Sequence, residues 1–220
     1  MRRLFLLLPL LLAACSGGPS REAVQLAGEL RPTPPGAATD AMADRPFTCM
    51  EQDRACVTLW LYRGAACARL AEAPETPDPA RPARRDCAVE AFQRARALLP
   101  DDATAQERQE VAIRLADAHE RRRDRATGEA RQAENGAILA AVAPLRGSSA
   151  ASYADHYAAG VAVNRVQAGE VPQAARCAVL DEARALAAGT PGGAGLPPLG
   201  DRPDQRRAAI ATQRAAEGCP

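Results

Sequence analysis

The sequence predicts an all-α fold, built from antiparallel helical hairpins and stapled by disulfides. Three observations carry this prediction. Aromatic residues are only 3 % of the 220-residue chain, and runs of Val, Ile, Thr and Tyr that favour strands are nearly absent. Alanine is abundant, which suits helices that approach closely through small contact residues. Thr48-Cys49-Met50-Glu51 and Thr104-Ala105-Gln106-Glu107 both have the form of a capping box, in which the first and fourth side chains satisfy each other's free backbone N–H groups.

The chain opens on Arg2 and Arg3, followed by an apolar run from Leu4 to Leu12 broken only by Pro9. Crossing the hydrocarbon core as a helix takes roughly 20 apolar residues, so this run is too short to span a membrane. A positive start, a short apolar stretch and a small-residue exit are the features of a secretory signal peptide. Leu12-Ala13-Ala14-Cys15 resembles a bacterial lipobox. That resemblance implies that residues 1–14 are removed and that Cys15 becomes the lipidated first residue. It also implies, through Ser16, an outer-membrane lipoprotein facing the periplasm. Residues 15–46 read as the lipidated cysteine and a flexible tether rich in Gly, Pro, Ser and Asp, in which only Arg21–Leu30 could form a short helix. A flexible chain of this length spans on the order of 30 Å. Residues 47–220 are then one helical domain.

Within that domain Thr48 is read as the N-cap of a helix running to about Ala73. Pro74, Pro77, Pro79 and Pro82 follow as a stiff loop. A second helix is expected from Arg85 to Leu99, stopped by Pro100. Thr104 opens a long helix to about Gln132, with Asn135-Gly136 as a break and Ala137–Ala143 as a short apolar turn. Ser148 or Ser149 caps the next helix, to about Ala168, and Gly169 stops it. Pro172 starts a helix ending near Ala188, and "GTPGGAGLPPLGDRPD" reads as a connector. Pro203 starts a last helix that Gly218 ends.

Six cysteines remain after Cys15: Cys49, Cys56, Cys67, Cys87, Cys177 and Cys219. An even number in an exported chain implies structural disulfides. The close C-x2-C pairs of zinc sites and the C-x-x-C-H of haem attachment are missing from the sequence, so no metal and no cofactor is expected. Cys49, Cys56 and Cys67 stand at i, i+7 and i+18 and share one face of the helix read from Thr48. On that helix, neighbours lie about 10 and 16 Å apart, whereas a disulfide needs Cα atoms within roughly 7 Å. Unless the first turn frays at Cys49, none of these three can bridge another. Cys67–Cys87 is therefore expected across the first hairpin, and Cys49 and Cys56 are expected to reach Cys177 and Cys219 in either order.

Ala88-x3-Phe92-x2-Ala95-x4-Pro100 resembles the second helix and closing proline of a tetratricopeptide (TPR) repeat, with Trp60, Gly64 and Cys67 similar to first-helix contacts. The residues around Leu115 to His119, and "HYAAGVAVNRVQAGEVPQAARCAVLDEARAL", match more loosely. No 34-residue period holds, so the resemblance implies an irregular TPR-like stack of hairpins. It also implies a binding role without catalysis, a protein partner in the cell envelope held between hairpins, and exposed polar contacts such as Gln109 and Asn164.

The chain contains no lysine, so its 28 basic side chains are all arginine. A P-loop lysine, a pyridoxal Schiff base and S-x-x-K serine enzymes are thereby excluded. A formal net charge of +1 gives no general attraction to nucleic acid. His119 and His156 read as surface histidines, since the adjacent Asp155 and His156 point about 100° apart on a helix and form no dyad. Helix-borne Glu90, Glu107, Glu110, Asp117 and Glu120 offer an alternative, a glycan hydrolase, although one Trp and three Tyr are few for a sugar cleft. Arg121, Arg122, Arg123 and Arg125 read as a solvated face. Their functional alternative is contact with anionic lipid, cell-wall polymer or an acidic partner, as in a structural anchor.

Overall fold

Asp53, not Thr48, opens the first long helix. The computed structural model describes residues 20–191 and 199–220, and within them the chain is helical with no strand. The signal segment 1–14, Cys15, Ser16 and part of the connector lie outside the described residues. Eight α-helices are described: α1 Arg21–Leu30, α2 Arg54–Glu72, α3 Arg81–Ala97, α4 Ala105–Arg123, α5 Gly128–Val142, α6 Ala151–Gln167, α7 Gln173–Ala188 and α8 Arg202–Ala216.

Local chemistry explains most boundaries. Thr104 forms the expected box: its hydroxyl accepts from Glu107 N at 3.1 Å, and Glu107 Oε2 accepts from Thr104 N at 2.6 Å. Thr48 does not. The side chain of Asp53 accepts from Ala55 N at 2.6 Å and takes the N-cap, while Glu51 turns to Met50 N instead. Pro82 sits in the first turn of α3, where a missing N–H costs nothing, so the helix starts four residues before the predicted Arg85. The predicted helix from Thr104 to Gln132 is in fact two, because the chain turns at 124–127 and Gly128 takes a positive φ of 54°. Asn135-Gly136 lies inside α5 and breaks nothing; Asn135 is buried there. Gly169 and Gly218, at φ 72° and 68°, end α6 and α8 as read.

Ser20 to Pro46 is not a free tether. α1 forms at the predicted residues and buries Ala23, Leu26 and Ala27 in the main core, and a 3-10 segment, Ala37–Ala43, adds Met42 and Ala43. The Tyr62 hydroxyl lies 2.8 Å from the Leu30 carbonyl oxygen and 2.7 Å from that of Thr33, and Arg84 grips Asp44 with two bonds of 2.7 Å. A composition rich in Gly and Pro suggested flexibility, but a few well-spaced apolar residues suffice to dock the segment.

The disulfides are Cys49–Cys56, Cys67–Cys87 and Cys177–Cys219. Cys67–Cys87 staples α2 to α3 as predicted. The other two overturn the expected long-range pairing. With α2 starting at Arg54, Cys49 lies ahead of the helix and can fold back to a Cα–Cα distance of 5.2 Å from Cys56. Trp60 fixes that fold-back, its Nε1 donating to the Cys49 carbonyl at 3.0 Å.

The helices stack in chain order, each packing on the next from α1 to α8, with further contacts of α2 with α4 and of α6 with α8. α2 and α3 meet closely at Gly64, where a Cβ would lie 2.4 Å from Phe92 Cε1. One large apolar core runs from α1 to α6, and a smaller one joins α6, α7 and Ile210 of α8. Among the described residues no helix is long and apolar enough to cross a membrane.

Candidate functional site

The faces of α2 and α4 that look toward each other form a groove of about 460 Å³, closed at one side by Pro35 and Gly36 of the N-terminal segment. Its lining is small and apolar at the base, with Ala65, Ala68, Ala118 and the ring of Phe92, and charged at the walls. Arg69 in the wall is held by Asp40 of the 3-10 segment, and Arg114 stands 3.4 Å from Glu110 one turn below. Alanines in the base leave room for an incoming chain, and the charged walls supply directional bonds to it.

Asp117 closes the far end of the groove and begins a buried ionic cluster. It takes the Tyr157 hydroxyl of α6 and accepts from Arg202 Nη1 of α8 at 2.7 Å. Glu120, one turn on, accepts from Arg202 Nη2 at 2.6 Å, Arg206 Nη2 at 2.7 Å and Arg123 Nη2 at 3.2 Å. Burial alone would raise the pKa of Glu120, but Arg206, Arg123 and Arg202 overcome it and hold it at about 2. Tyr157 is pushed well above its ordinary value by burial and by Asp117, so its hydroxyl stays protonated and donates. The all-arginine composition matters here, because a guanidinium reaches two carboxylates at once and stays charged when buried.

Both histidines lie inside the molecule, contrary to the surface reading. His119 is 4 % exposed, with Nδ1 2.7 Å from Glu134 Oε2. Burial outweighs the attraction of Glu134 and lowers its pKa. His156 is 1 % exposed, and both of its ring nitrogens are buried without a hydrogen-bond partner. Burial and the nearby Arg206 and Arg202 hold it neutral, with a pKa of about 3. The face read as solvated is divided. Arg121 and Arg125 are exposed, Arg123 is buried on Glu120, and Arg122 joins Glu134 to Asp86.

Comparison with protein-family models, curated proteins and solved structures finds no match. The site therefore stands on its own geometry. Of the five acids singled out in the sequence, Asp117 and Glu120 are brought together, but as the receivers of arginines. Glu107 is occupied by Thr104 and by Arg54 Nε at 2.8 Å. Glu51 lies beside Cys49 and Cys56, a grouping with the composition of a metal site, but both sulfurs are already spent in their disulfide. Gln109 bonds Tyr153, and Asn164 accepts from Asn135 Nδ2 at 3.2 Å between α5 and α6, so neither is a free groove contact. Sequence reasoning missed Arg202, Arg206 and Gly160. Gly160 carried a usable signal, since a mid-helix glycine costs about 1 kcal/mol against alanine unless something packs close to it.

Proposed function

We propose that this chain is a lipid-anchored, periplasm-facing interaction module of the bacterial envelope, attached at Cys15 and binding an extended segment of a protein partner in the α2–α4 groove. One observation carries the reading. The groove joins corresponding faces of the first helices of two consecutive hairpins, with an alanine base and charged walls. An irregular TPR-like arrangement is part of the proposal, supported by the close approach of Gly64 and Phe92 at the positions the resemblance marks. Two of the five acids on which the hydrolase alternative draws are unsuited to be its general acid. A general acid needs its pKa raised, whereas Glu107 and Glu120 are both shifted down by their cationic and backbone partners.

The test places a photo-cross-linking amino acid at Ala65 or Ala68 in the groove, and at the exposed Ala133 as control, in the native host. The proposal expects one discrete cross-linked protein from the groove positions and none from Ala133. Identical patterns from all three positions contradict it. Cys15→Ala is expected to move the protein out of the membrane fraction; unchanged fractionation contradicts the anchor.

A further inference from the structure

The α2–α4 groove ends at Asp117, and the next equivalent face, between α4 and α6, is already covered by α8. The cover is unusual in its chemistry. α8 packs on α6 and α7 and buries Pro203, Ile210 and Arg214 of its own residues, and Leu199 just before it is buried in the main core. Its hold on α4 is made instead by two long side chains, Arg202 and Arg206, one helical turn apart, reaching Asp117 and Glu120. The slot they enter is shaped for a guanidinium: a Cβ at Gly160 would stand 2.3 Å from Arg206 Nη1. Glu120 is buried with its charge intact, which is costly unless a cation is always at hand. His156 behind it has two buried ring nitrogens without partners and offers no competing charge. The far end of α8 is fixed by Cys177–Cys219 and by Arg176 Nη1 on Glu217 Oε2 at 3.1 Å.

We propose that the α4–α6 face is a recognition surface for arginine-bearing helices, and that α8 is its intramolecular occupant. A partner helix with arginines at i and i+4 displaces the N-terminal half of α8, which swings aside while its C-terminal end stays attached. The proposal rests on the reading that this chain works by binding protein, and it extends the binding surface from the groove to the neighbouring face. Charge complementarity selects the occupant, since the slot presents two carboxylates and accepts planar cations.

The experiment uses the full-length oxidised protein and a fluorescein-labelled synthetic peptide of residues 199–213, which carries both arginines and lacks Cys219. Wild-type protein is expected to bind the peptide weakly, because its own α8 fills the slot. Arg202→Gln/Arg206→Gln, with the slot vacated, is expected to bind at least about tenfold tighter. Adding Asp117→Asn/Glu120→Gln, or Gly160→Ala, is expected to abolish that gain. Arg206→Gln alone, which leaves Arg202 and Arg123 on Glu120, provides a milder variant with a smaller gain in the same direction. Folded variants that bind no better than wild type overturn the proposal. Failure of both arginine variants to fold also overturns it, since an occupant that cannot leave without unfolding is part of the core. Groove cross-links without peptide binding retire this inference alone, and peptide binding without groove cross-links retires the groove reading alone.

Discussion

α1 and α8 both lie on the outside of the stack, yet α1 is seated through Ala23, Leu26 and Ala27 in the main apolar core, whereas α8 adds to the apolar burial of Ile210, and of Leu199 just before it, two arginines on the carboxylates Asp117 and Glu120 of α4. Burial of a leucine is non-directional and contributes about 1.5–3 kcal/mol. A buried ion pair gives back most of its Coulomb gain as desolvation, but it fixes geometry and fails badly when one partner is lost. The difference teaches that a helix can be docked for permanence or for selectivity. α1 is held by apolar area, with the Tyr62 hydroxyl on the Leu30 carbonyl at its end. α8 guards a charged slot, and its docking depends on every group in that slot keeping its protonation state.

The largest effect expected is at Glu120. Glu120→Gln leaves Arg123, Arg202 and Arg206 without their shared anion, and is expected to cost about 3–5 kcal/mol in denaturant unfolding. A loss below about 1 kcal/mol would show that the cluster is solvated and that the two ends are not held differently.

Acid comes next, and the sign follows from the shifts. Folded His156 titrates at about 3 against an ordinary 6.5, and folded Glu120 at about 2 against 4.5. In both intervals the unfolded chain binds more protons, so stability rises with pH. The contribution of His156 is complete above 6.5 and is lost as pH falls toward 3; that of Glu120 is complete above 4.5 and is lost toward 2. At about 1.4 kcal/mol per unit, several kcal/mol are at stake. Unfolding midpoints measured from pH 7 to pH 4 are expected to fall steadily, and a flat profile would contradict the burial of His156.

Leu26→Ala probes the other end. It is expected to cost about 2–3 kcal/mol with no change in the acid profile, since no ionisable group of the cluster touches α1. Smaller still is Tyr62→Phe, which removes the hydroxyl under Leu30 and Thr33 and is expected to cost about 1 kcal/mol. Thermal melts of the two variants side by side check the order.

How much of this was legible in sequence depended on the range of the interaction. α1, the Thr104 box and the stops at Gly169 and Gly218 are set by residues within a turn of one another, and the sequence carried them. The start of α2 was not legible, because Thr48 and Asp53 are both good N-caps and the choice rests on Trp60 reaching back to Cys49. That one choice decided the disulfides. The slot was hidden for a related reason: Arg202 meets Glu120 across a separation of 82 residues, and nothing local marks which of the arginines does so. His156 could have been placed. Tyr153, His156, Tyr157, Gly160 and Val161 repeat at helical core spacing, and that stripe outranks the polar character of one member. The groove residues were partly marked, since Phe92 stood out, whereas the alanines at its base are indistinguishable from the many others.

The most direct test of the contrast between the two ends is backbone hydrogen exchange on Glu120→Gln, read peptide by peptide at neutral pH. Exchange is expected to accelerate in the N-terminal half of α8, residues 202–209, while α1, residues 21–30, keeps wild-type protection. Equal acceleration of both helices, or of neither, would contradict the claim that the ion pairs on Glu120 hold the N-terminal half of α8 and contribute nothing to α1.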